Sequence, residues 1–116
     1  MQKGSENIYK KCLEAMNFPV LICDADNRIV FMNRAYAEYL HVQIEEIQGL
    51  DVREVIENSR VPYVQKSHKP EYNYRHKYSS GYTKGKEIIV SRIPVIENGK
   101  YIATFGMLGF TDSFVC

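Results

Sequence analysis

The sequence has no apolar run approaching the roughly 20 residues that a membrane-spanning helix needs, so no membrane span is expected. It also does not open on an apolar block of signal-peptide length. MQKGSENIYKKCLEAM mixes lysines with other residues, and a cytoplasmic location is the expectation. Cysteine is scarce: Cys12, Cys23 and Cys116 lie far apart with no CxxC spacing, a pattern that points neither to a disulfide framework nor to zinc or another metal. Excess charge of one sign is missing too. Fifteen basic residues face 14 acidic ones, interspersed, for a net charge of +1, so the chain as a whole exerts no pull on nucleic acid. Neither a GxxxxGK[ST] phosphate loop nor a GxSxG nucleophile context occurs, and enzyme activity is not expected.

What remains is ordinary globular material, 45% hydrophobic and 25% charged over 116 residues, enough for one domain with one core. Ile8, Cys12, Ala15 and Met16 recur at helical spacing and predict a short amphipathic helix, ended by Asn17-Phe18-Pro19. VLIC and RIVFM are compact apolar runs separated by DADN, where Asp24 and Asn27 suit the tight turn of a hairpin. Asn33 suits the N-cap of a helix over 34–40 whose inward face carries Tyr36, Tyr39 and Leu40. IEEIQGLDVREVI predicts two helical turns separated at Gly49, and a further helix is expected over 60–68 with Pro62 in its first turn.

After Lys69-Pro70 the period changes. Tyr72, Tyr74, His76 and Tyr78 alternate with Asn73, Arg75 and Lys77, which predicts a strand with two different faces. KEIIVSRIPVI and YIATFGMLGF follow as strands joined at Asn98-Gly99, a strong two-residue hairpin signal. The order helix, two strands, short helices, three strands gives an α+β class. Tyr101, Ala103, Phe105 and Met107 alternate with Ile102, Thr104, Gly106 and Leu108, so the last strand offers apolar or small residues on both faces and needs cover on both. Arg92 stands on an otherwise apolar strand, where a guanidinium either meets a carboxylate or points to solvent. The Tyr72 to Tyr78 face, turned inward, lines a pocket suited to a polar or anionic molecule; turned outward, it is an aromatic ladder. YNYRHKY interleaves aromatic and basic residues, but nothing like RGFGFV accompanies it, so no direct nucleic-acid binding is expected.

Three segments in order, FPVLICDADNRIVFMNRAYAEYL, IEEIQGLDVREVI and IIVSRIPVIENGKYIATFGMLGF, resemble the PAS sensor domains over 17–112. NSRVPYVQKSHKPE with SRIPVIENGKYIATFGMLGFTD is most similar to the N-terminal PAS domains of sigma-54-dependent bacterial transcriptional activators, in which an AAA+ ATPase and a DNA-binding helix-turn-helix follow. The resemblance implies a PAS fold, a five-stranded antiparallel sheet with short helices packed on one face around a small pocket. A flanking helix over 1–16 would precede it, and a tail over 113–116 would lead toward an output domain outside this chain.

The resemblance also implies a signal-input role with a small-molecule ligand or a protein partner. Pocket candidates are Tyr36, Tyr39, Tyr63, Tyr72, Tyr74, His76, Arg92 and Phe105, while Asp24, Asn27, Asn33, Gly49 and Gly99 are read as architectural. A homodimer is expected, with Ile8, Cys12 and Met16 as interface candidates. Flavin is not expected because an NCRFL-like motif is missing. Haem is not expected because His68, on the helix that carries the haem ligand in haem PAS domains, sits among Gln65, Lys66, Ser67 and Lys69, which read as solvated. The alternative is a dimerisation or protein-interaction module whose pocket is filled by its own Phe31, Met32, Phe105 and Met107.

Overall fold

The structure, a computed structural model, describes residues 3–109, with side chains from Ile8 onward. The expected tail over 113–116 and the end of the 17–112 segment lie outside the described residues. Helix α1 (Lys3–Ala15) leads into β1 (Val20–Asp24) and β2 (Ile29–Met32), joined by the DADN turn. Asp24 Oδ1 accepts from the backbone N–H groups of Asp26 and Arg28 at 2.8 and 3.1 Å, and Asn27 takes the left-handed φ of 64° that closes the turn. Helices α2 (Arg34–Leu40), α3 (Ile44–Ile47) and α4 (Val61–Ser67), with a 3-10 turn at Val52–Glu54, then cross to the far edge of the sheet. Gly49, at φ 80°, makes the turn after α3 that returns the chain to Ile29.

β3 (Glu71–Lys77), β4 (Glu87–Glu97) and β5 (Lys100–Gly109) complete a five-stranded antiparallel sheet in the order β2-β1-β5-β4-β3. The class is α+β, as the alternation of helical and strand periods predicts. The helices cover one face only. There Leu21, Cys23, Ile88, Val90 and Leu108 from the strands pack with Tyr36, Ala37, Leu40, Ile47, Val52, Ile56 and Val61 into one core. On the other face Val95, Ile102 and Met107 are 37–39% exposed.

Two irregularities reassign side chains that strict alternation misplaces. On β3, Tyr72 and Asn73 together oppose Ser91, with Asn73 at φ 53° and its N–H donating to Ser91 Oγ at 3.1 Å. This bulge turns Tyr72 out to 64% exposure and brings Glu71, instead of Tyr72, opposite Arg92. On β5, a shift opposite Val95 and Ile96 puts Tyr101 on the covered face with Thr104, to which its hydroxyl is hydrogen-bonded. Phe105 pairs with Ile22 and Ile93 on the uncovered face.

The β4-β5 hairpin turns through Asn98 at φ 52° and Gly99 at φ 77°, two successive left-handed residues. A Cβ at Gly99 would meet no atom within 4 Å, so its cost is purely conformational. Gly99→Ala is therefore expected to lose about 1 kcal/mol in urea denaturation, with the m-value unchanged.

Candidate functional site

The inward positions of β4 run Ile88, Val90, Arg92, so the apolar strand ends its buried face on a guanidinium. Arg92 is 5% exposed, and its charge is met by the bulge-positioned Glu71 at 3.0 Å. The same carboxylate receives Arg60, the residue preceding α4, whose Nε and Nη2 donate to Oε2 at 3.0 and 2.7 Å. Tyr74 lies beneath both cations, its ring 4.5 Å from the Arg60 guanidinium and 5.5 Å from that of Arg92.

His76 extends the cluster. Arg92 Nη2 donates to His76 Nδ1 at 3.3 Å, and because arginine only donates, the imidazole carries its proton on Nε2, which donates to Asn58 Oδ1 at 3.2 Å. Asn58 Nδ2 donates to the Lys77 carbonyl at 2.8 Å, so the segment before α4 is fastened to β3. Tyr36 and Tyr78, both buried, share a hydroxyl hydrogen bond of 2.8 Å, and Tyr78 meets the His76 ring edge-on at 5.2 Å.

Burial, helped by the charges of Arg92 and Arg60, pushes His76 down to about 4. Burial raises both tyrosine hydroxyls, which stay protonated donors. For Glu71 burial acts upward, but the two guanidiniums outweigh it and hold the carboxyl below its ordinary value. Between about pH 6.5 and 4 the unfolded chain binds a proton on this imidazole that the folded chain does not. Stability is therefore expected to fall as pH drops through that window, by at most about 1.4 kcal/mol per pH unit. In denaturation series at pH 7, 5.5 and 4.5, His76→Gln should flatten the dependence.

Two spaces adjoin the cluster. A small cavity of about 20 Å³ lies among Tyr36, His76, Tyr78, Arg92 and apolar neighbours, room for about one water. A groove of about 560 Å³ lies between α4 and β3, bordered by Arg60, Tyr63, Lys66, Tyr74 and Lys77. Ser59 and His76 belong to both walls.

Of the sequence candidates, Tyr36, Tyr74, His76 and Arg92 converge here. Tyr63, 60% exposed, sits on the groove rim against Arg60, and Tyr39 is half-buried beside Tyr78. Tyr72 and Phe105 do not join: the bulge turns the first to solvent and the second lies across the sheet. Ile8 and Cys12 are exposed on α1 and Met16 is half-buried after it. His68 caps α4 with φ 59° and stacks on Tyr101 at 5.4 Å. Sequence reasoning missed Glu71, Arg60 and Asn58. The available signal was Asn73, whose tolerance of left-handed backbone favours a bulge that would move Glu71 inward.

Among the described residues no helix is long and apolar enough to cross a membrane, and no three His, Cys, Asp or Glu side chains group as metal ligands. Comparison with curated proteins gives no match. Solved structures of similar fold include the PAS domain of BvgS from Bordetella pertussis, at 12% identity over 91% of this chain and 85% of that one, TM-score 0.67. The PAS domain of nitrogen regulation protein NR(II) from Vibrio parahaemolyticus matches at 14% over 86% and 95%, TM-score 0.66. The E. coli DhaR(N)-DhaL complex matches at 18% over 91% of this chain but 35% of that one, TM-score 0.75. At these identities the likeness is one of fold. The PAS fold family, by contrast, is matched in sequence across residues 7–81, more than half of the chain, and with the five-stranded sheet and its one-sided helical cover this places the chain in the PAS fold family.

Proposed function

We propose that this PAS domain is the cytoplasmic signal-input module of a sigma-54-type transcriptional activator and senses a small polar or anionic molecule in the α4-β3 groove, beside the cluster of Arg60, Glu71, Arg92 and His76. The observation that carries this reading is the burial of Arg92 in an apolar core with an imidazole and two hydroxyls beside it. Buried ion pairs stabilise folds poorly, whereas a few placed polar groups within apolar walls are what small-molecule recognition uses. A regulatory role is supported by the family and by similarity to PAS domains of regulators such as NR(II) and DhaR. The sigma-54 context rests on the NSRVPYVQKSHKPE and SRIPV segments. A ligand shifts the output only by binding two arrangements of the domain unequally, typically by about 1–3 kcal/mol. Native mass spectrometry of the freshly purified chain, with thermal shifts against anionic metabolites, tests it. A released mass or a saturable shift is expected; bare protein with no shift across the panel would overturn it.

A second reading, a dimerisation and protein-interaction module, is favoured by the 20 Å³ interior and by the uncovered sheet face. Such a face, with Val95, Ile102 and Met107 exposed, suits a second copy of the chain. Light scattering across a hundredfold concentration range is expected to show a dimer that Ile102→Glu with Met107→Glu converts to monomer. A monomer mass at all concentrations for the unaltered chain would remove it.

A further inference from the structure

We propose that Glu71 is a built-in counter-ion holding the place of a ligand carboxylate, so that a small molecule with a carboxylate and a flat apolar body binds in the α4-β3 groove by displacing Glu71 from Arg60 and Arg92. The inference deepens the small-molecule reading above and rests on it. Its first support is that the pair already displays the chemistry: one carboxylate takes Nε and Nη2 of Arg60 and Nη1 of Arg92, all within 3.0 Å of an oxygen. Planar guanidinium forks match carboxylates in this way, and an incoming carboxylate finds the same donors in place.

Charge and space agree. Two guanidiniums share one carboxylate and the imidazole beside them is neutral, so the cluster keeps an excess positive charge and meets the groove through Arg60 and His76, while the groove's rim adds Lys66 and Lys77 against Glu57. The cavity of about 20 Å³ is too small for a metabolite, whereas the groove, at about 560 Å³, falls within the range of small-molecule sites. Tyr63, 60% exposed, offers a ring to the body of the ligand.

Glu71 is also placed to leave. It begins an edge strand, keeps 19% side-chain exposure and is separated by the bulge from the regular pairing of Tyr74 to Lys77, which survives its withdrawal. The exchange would unlink the residue before α4 from β3, giving binding a structural consequence. Because the native carboxylate must first yield, affinity in the unaltered chain is lowered by the rarity of the open state.

Calorimetric titration of the full chain with benzoate, and with benzamide as the neutral control, tests this. Glu71→Gln is expected to bind benzoate at least tenfold more tightly than the unaltered chain, benzamide is expected to bind neither, and adding Arg92→Met is expected to abolish the gain. Glu71→Ala should regain thermal stability with benzoate in a saturable manner; should that variant not fold, Glu71→Gln carries the decision alone. Equal benzoate affinity with and without Glu71, or an equal response to benzamide, overturns the proposal. Failure of the sensor reading shows separately, as an unaltered chain that is bare in native mass spectrometry and unshifted by the metabolite panel.

Discussion

Glu71→Ala is expected to lower the unfolding free energy by about 3–5 kcal/mol, and adding Arg92→Met to return most of that loss. The asymmetry follows from burial. Arg92 has a side chain only 6% exposed and touches one carboxylate, so removing Glu71 leaves a cation desolvated and unpaired next to His76. Arg60, 29% exposed, can rehydrate when its partner goes. Arg92→Met alone leaves Glu71 with Arg60 and with solvent, and should cost clearly less than Glu71→Ala. Urea denaturation of the four proteins forms a cycle, and the expected sign is strong coupling, since the two residues are in contact. Additive losses would show that Arg92 finds water or another acceptor and that the ion pair is energetically idle.

The second large effect is expected at Asn33, which is fully buried and uses its amide four times. Oδ1 accepts from Val20 N at 3.0 Å and Tyr36 N at 3.2 Å; Nδ2 donates to the carbonyls of Phe18 at 2.9 Å and Leu13 at 3.1 Å. One side chain thereby caps α2, completes β1 and holds the last turn of α1. Each buried group left without a partner costs about 1–3 kcal/mol, so Asn33→Ala is expected to lose about 3–4 kcal/mol even after water reaches some of them. Asn33→Asp separates the roles. Aspartate is as good an N-cap as asparagine, but an ionised carboxylate cannot donate and would face the Leu13 and Phe18 carbonyls. That variant should be nearly as unstable at neutral pH and recover in acid, where protonation restores a donor, whereas the unaltered chain weakens in acid through His76. Hydrogen exchange is expected to show α1 opening first in both variants; retention of its protection would mean that packing, not Asn33, holds the helix.

Much of this architecture could be read from the residues because local chemistry and tertiary structure agree there. Asp24 and Asn27 in a turn, Asn33 before a helix and Asn98-Gly99 between strands each solve a backbone problem within a few residues. The periods of 3.6 and 2 separate helices from strands for the same reason. The candidate site was only partly legible, since membership depends on which way a strand residue faces. A single bulge at Tyr72 and Asn73 exchanges Tyr72 for Glu71, and the shift near Ile96 detaches Tyr101 from the face of Phe105. Arg60 and Asn58 were harder still. They lie in an irregular segment where no period applies, and their partners sit 11 and 18 residues away on β3.

The same bulge bears on the solubility of the domain. β3 ends the sheet, and a long flat edge there would present a row of unpaired amides and carbonyls on which another chain could template. The extra residue interrupts that row, Asn73 bends the backbone, and Arg75 and Lys77 set cations along what remains. The distortion that delivers Glu71 to the two guanidiniums therefore also guards the sheet against fibrillar growth. Deleting Asn73 would make the strand regular with Glu71 still opposite Arg92, and is expected to keep the ion pair while exposing a flat edge, seen as aggregation on concentration.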